Sequence, residues 1–118
     1  MTVEIDKASI CENFMDDEEL IFESIDLFLE SATARLKTLV EAVKERNDDK
    51  VMVEAHTLKG MVGIFSPGDV FDSAKKLESM GRNHDLTGVD EALIDFEDKL
   101  QTLMSILKEW REAGIDSE

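Results

Sequence analysis

Tyrosine is absent from this chain, and cysteine and proline occur once each. With Cys11 alone, no intrachain disulfide can form, and no Cys/His cluster at zinc spacing surrounds it. That usage fits a reducing compartment, and the sequence predicts a cytoplasmic protein. Basic residues are also scarce, 13 against 28 acidic ones, for a formal net charge of -15. Such a chain is repelled by nucleic-acid backbones and by anionic membrane surfaces, so it is expected to bind neither. Nowhere do 18 uncharged apolar residues occur together, and Met1 to Asp6 lack the basic and apolar regions of a secretory signal. No repeat, low-complexity tract or internal linker interrupts the sequence, so 118 residues predict one domain, 1–118, with a core over about 16–112 and loose ends.

What is present is helical periodicity. From Asp16 to Arg46 the apolar residues Ile21, Ile25, Phe28, Leu29, Ala32, Leu36, Leu39, Val40 and Val43 recur at steps of three and four. This span predicts one long helix or two meeting near Ser31 to Thr33, with Asp16 and Asp17 at its start. Asn47-Asp48-Asp49 reads as a turn and N-cap for a segment running to Phe65, broken by Ser66-Pro67-Gly68. Pro67 then stands near the start of a helix that turns Val70, Phe71, Ala74, Leu77 and Gly81 inward. Thr87 is the expected N-cap of a last helix whose seam is Val89, Leu93, Phe96, Leu100, Leu103, Leu107 and Trp110. Ile5, Ile10 and Phe14 predict a short helix closing one end. Short connections favour antiparallel neighbours, so the expected fold is all-α, an up-and-down antiparallel four-helix bundle with N-terminal helical additions.

His56 departs from this pattern. At roughly 100° per residue, Val51, Ala55, Leu58, Val62 and Phe65 fall within about 40° of one direction, and His56 lies about 140° from it, facing solvent. Its helical neighbours are Met52, Lys59, Gly60 and Gly63, two of which have no side chain. Glycine inside a helix costs about 0.8 to 1.0 kcal/mol relative to alanine, so stability is given up around this histidine. Gly60 points away from the core, where close helix packing does not explain it. Bare backbone admits a bulky partner, Lys59 places a cation on the flank of the patch, and Met52 and Met61 supply an adaptable apolar rim. Imidazole, with an ordinary pKa of about 6.5, keeps a neutral nucleophilic fraction near neutral pH.

Ala55-His56-Thr57-Leu58-Lys59-Gly60 resembles the signature of histidine-containing phosphotransfer (HPt) domains of two-component phosphorelays. Gly63, Phe65 and the pair Leu77-Glu78 match further family positions, and Asp16 to Glu30 resembles its first helical stretch, so the likeness covers most of residues 14 to 110. The resemblance implies a four-helix bundle that carries phosphate without ATP binding or kinase activity of its own. It implies that His56 accepts a phosphoryl group from a receiver-domain aspartate or from a sensor or hybrid histidine kinase, and passes it to a response-regulator aspartate. Lys59 would stabilise the phosphoryl group, while Met52, Gly60, Met61 and Gly63 would form the docking surface. No cofactor is implied on the bundle, since Mg2+ belongs to the partner receiver, and a monomer is expected. Ser66-Pro67 and Met61-Val62 depart from the family's smaller residues, which bears on partner choice rather than on phosphorylation.

Two other readings stand beside this one. A carboxylate-bridged metal enzyme needs Glu-x-x-His pairs, but Val53 and Gly81 occupy that offset before His56 and His84. His84, in a turn, reads as a surface residue. An acidic helical adaptor that binds a signalling partner without phosphotransfer would not require His56, Lys59 and Gly60 together. Met1 and the polar Gly114 to Glu118 tail favour a free-standing shuttle over a domain of a larger sensor.

Overall fold

A computed structural model describes residues 3–66 and 68–114. Five helices follow one another: α1 (Lys7–Asn13), α2 (Glu18–Lys44), α3 (Asp48–Gly63), α4 (Asp69–Arg82) and α5 (Val89–Ala113). No strand occurs among the described residues. The span from Asp16 to Arg46 holds one uninterrupted helix, Glu18–Lys44, with no break near Ser31 to Thr33. Side-chain oxygens close three of the helix starts by accepting N–H groups that have no partner inside the helix. Asp6 accepts from Ser9, Asp17 from Leu20 and Asn47 from Lys50, each at 3.1 Å.

The last helix begins differently from expectation. Thr87 is not its cap: Gly88 holds that position at φ 80°, and Thr87 instead donates its N–H to Asp85. A left-handed residue is needed to turn the chain there, and glycine adopts that conformation without a Cβ penalty. The expectation for Pro67 lies outside the described residues.

Helix α3 packs between α2 and α4, and α5 also packs between α2 and α4, so the four long helices close a ring around one core. The apolar stripes meet inside it. Ile21, Ile25 and Leu39 of α2, Val51, Ala55 and Leu58 of α3, Val70, Ala74 and Leu77 of α4, and Phe96, Leu100, Leu103 and Leu107 of α5 are fully buried. Each buried leucine, isoleucine or phenylalanine contributes about 1.5 to 3 kcal/mol, which outweighs the modest propensity of any single helix. The short α1 closes one end with buried Ile10. Next to it, Phe65 stacks on Phe14 with ring centroids 6.4 Å apart and meets Phe28 edge-on at 5.3 Å.

The approach of α4 to α3 depends on one residue. A Cβ at Gly81 would stand 2.6 Å from the Met52 nitrogen and 2.7 Å from the Asp48 carbonyl oxygen, so the two helices meet there backbone to backbone. That contact sets the register between the helix carrying His56 and the helix facing it.

Candidate functional site

The imidazole of His56 stands on the outer face of α3, with 65% of its side chain exposed. It is anchored at one edge only. Nδ1 lies 3.0 Å from Oε2 of Glu78, which reaches across from α4. Glu78 follows Leu77 and lies on the stripe that includes Ala74 and Gly81, so its carboxylate is carried inward and only 2% of its side chain is exposed.

A buried carboxylate must be neutralised or hydrogen-bonded to remain charged. Burial by itself would raise the pKa of Glu78, but contacts with Lys59, His56 and Arg82 outweigh it and bring the value down from 4.5 to about 2. Lys59 places its ammonium 2.6 Å from Oε1. This is an ion pair without the alignment of a hydrogen bond, as Oε1 has no well-directed donor. Arg82, one turn beyond Glu78 on α4, donates from Nη2 to Oε2. Two cations and the imidazole thus converge on one carboxylate.

The charge state of Glu78 decides the tautomer of His56. An ionised carboxylate only accepts hydrogen bonds, so in the neutral ring Nδ1 carries the proton and Nε2 presents its lone pair. The result is an exposed nucleophilic nitrogen on a ring whose orientation is held from behind.

The other residues singled out from the sequence fall in different surroundings. A Cβ at Gly60 would meet nothing within 4 Å, so the surface beside His56 is open there. At Gly63 a Cβ would lie 3.3 Å from the ring of Phe71, which makes this glycine a point of contact between α3 and α4. Met52 is half-buried and lines a recess of about 270 Å3 with Val53, His56, Thr57, Glu78 and Arg82. Met61 faces the other way, into a groove between α2 and α3. Lys59 is on the His56 side of α3 but only 21% exposed, and its ammonium sits 5.9 Å from the centre of the Phe71 ring.

Arg82 and the role of Glu78 were not legible as site features. Leu77-Glu78 carries the only signal, a carboxylate falling on a helix face that is otherwise alanine, leucine and glycine. His84 is exposed, as expected, though its Nδ1 lies 3.0 Å from Asp48. Among the described residues no group of three His, Cys, Asp or Glu side chains is placed to hold a metal ion, and no helix is long and apolar enough to cross a membrane.

The family model of the Hpt domain matches residues 23–110. Among solved structures, the chain is similar to histidine-containing phosphotransfer protein B (HptB) from Pseudomonas aeruginosa PAO1, with a TM-score of 0.84 and 18% identity over 92% of this chain and 94% of that one. At that identity the likeness speaks for the fold. No curated protein sequence matches.

Proposed function

Because the chain belongs to the Hpt domain family and so has a phosphotransfer role in two-component signalling, we propose that His56 is its phosphoryl acceptor and that Nε2 is the reacting atom. The observation that carries this reading is the 3.0 Å contact between Nδ1 and the buried, ionised Glu78. The lone pair of Nε2 attacks the phosphorus of a receiver aspartyl phosphate in line. The N–P bond forms as the bond to the aspartate oxygen breaks, and the aspartate leaves as a carboxylate. The ring gains positive charge in this step while keeping its proton on Nδ1, and Glu78 lies where that charge develops. The reverse sequence returns the phosphoryl group to a second receiver aspartate.

Such transfer depends on positioning and charge neutralisation, and the chain needs no nucleotide site for it. Lys59 is held beside Glu78 by charge and keeps its ammonium N–H donors for phosphoryl oxygens. Mg2+ is supplied by the receiver, which docks over the open backbone at Gly60, with Met52 on the rim of the acceptor recess and Met61 on the neighbouring groove. The chain acts as a carrier and not as a kinase.

The test is direct. Purified receiver domains from the same genome, phosphorylated with a small phosphodonor, are mixed with the chain, and acid-labile, base-stable phosphate is followed on it. Wild type takes up label and H56Q does not. Label on H56Q, or none on wild type from any receiver, would refute the assignment.

A further inference from the structure

Beside the acceptor, between α2 and α3, runs a groove of about 380 Å3 whose walls include Leu27, Met61 and Ile64. Leu27 and Ile64 remain 65% and 52% exposed, so the groove is apolar and uncovered. Thr57 lines both this groove and the recess at His56, which makes the two surfaces continuous. Among the described residues that line it, one is charged, Arg35.

Arg35 is held in an unusual way for a surface cation. Its Nη1 donates across 3.3 Å to Oε1 of Glu54, whose side chain is 11% exposed, while half of the arginine side chain remains in solvent. A pair of this kind gives little net stability compared with apolar residues of similar volume, so packing does not account for it. It does restrict the guanidinium, which has five N–H donors and commits one of them to Glu54. A positioned cation facing an apolar groove runs against the -15 charge of the chain.

We propose that Arg35 is a specificity-determining residue for the receiver. The remaining guanidinium donors take a side-chain carboxylate flanked by apolar residues on the receiver segment that fills the groove, and Glu54 sets the angle at which they are offered. This inference rests on the receiver reading above and adds a selectivity contact outside the reacting centre.

The experiment compares two phosphoryl sources on the whole chain: phosphoramidate, which needs no docking, and the receiver domain that transfers fastest to wild type. The double variant R35Q/E54Q removes the pair without leaving a buried charge unpartnered. It is expected to raise KM for the receiver about tenfold with kcat unchanged, and to take label from phosphoramidate at the wild-type rate. R35E is expected to lose transfer and to regain it from a receiver whose contacting carboxylate is changed to lysine. An unchanged KM, or an equal loss with phosphoramidate, overturns the role given to Arg35. Labelling of wild type by phosphoramidate but by no receiver overturns the receiver reading, and this inference with it.

Discussion

Glu78 of α4 and His56 of α3 meet through one carboxylate oxygen, Oε2, which also receives the guanidinium of Arg82. The glutamate therefore both orients the His56 imidazole and is itself kept ionised by the groups around it.

Glu78→Gln tests that double role. An amide can still hydrogen-bond Nδ1, but it offers no charge opposite the imidazolium that forms during transfer. Labelling of His56 is expected to slow at least about tenfold, the equivalent of about 1.4 kcal/mol in the barrier. Nitrogen NMR of the ring should show the Nδ1–H tautomer losing its dominance. Unchanged rates would reduce Glu78 to a packing residue.

The same carboxylate predicts the acid response. Its pKa falls from 4.5 to about 2 on folding, so its contribution is fully present above about pH 5 and is lost as pH drops toward 2. Denaturant unfolding at a series of pH values should show wild type losing stability through this window, with a flatter profile for E78Q. Parallel profiles would contradict the assignment.

Gly60→Leu separates access from chemistry. Nothing lies within 4 Å of a Cβ at this position, and leucine favours helix, so the variant should gain up to about 1 kcal/mol in thermal unfolding. Label from phosphoramidate should persist while label from a receiver is lost. Normal transfer from the receiver would refute the steric account.

Lys59→Ala removes one of the two cations on Glu78 and the one nearest His56 in sequence. Slower transfer and a shorter phosphohistidine lifetime are expected, with circular dichroism unchanged. If both rate and lifetime match wild type, Lys59 serves only the carboxylate.

Gly81→Ala acts at the crossing of α3 and α4. The added methyl would press on the Met52 nitrogen and the Asp48 carbonyl oxygen, backbone atoms that cannot swing aside. Overpacking of this kind costs about 1 to 3 kcal/mol. Both melting temperature and labelling rate should fall, because the shift that relieves the clash also moves Glu78 from His56.

The helices and their buried faces were legible because a period near 3.6 is a local property of the sequence. The solvent-facing direction of His56 and the inward direction of Gly81 follow from the same geometry. The partners of these residues do not. Glu78 is 22 positions from His56, and only the packing of α4 on α3 joins them. Lys59 reads from sequence as a free cation beside the imidazole, whereas its ammonium lies on a buried charge that the helical wheel of α3 cannot display. Gly63 reads as bare surface until Phe71 is placed against it. Thr87 has the residue type of a cap, but the turn requires a left-handed residue, and that requirement selects Gly88.

The crossing at Gly81 makes chemical competence conditional on tertiary structure. A nascent or frayed chain that holds the whole Ala55 to Gly60 stretch as helix still lacks the carboxylate that orients its imidazole. With His56 as the proposed acceptor, phosphate uptake reports the folded population, and damaged or half-made copies stay silent in the relay instead of draining it.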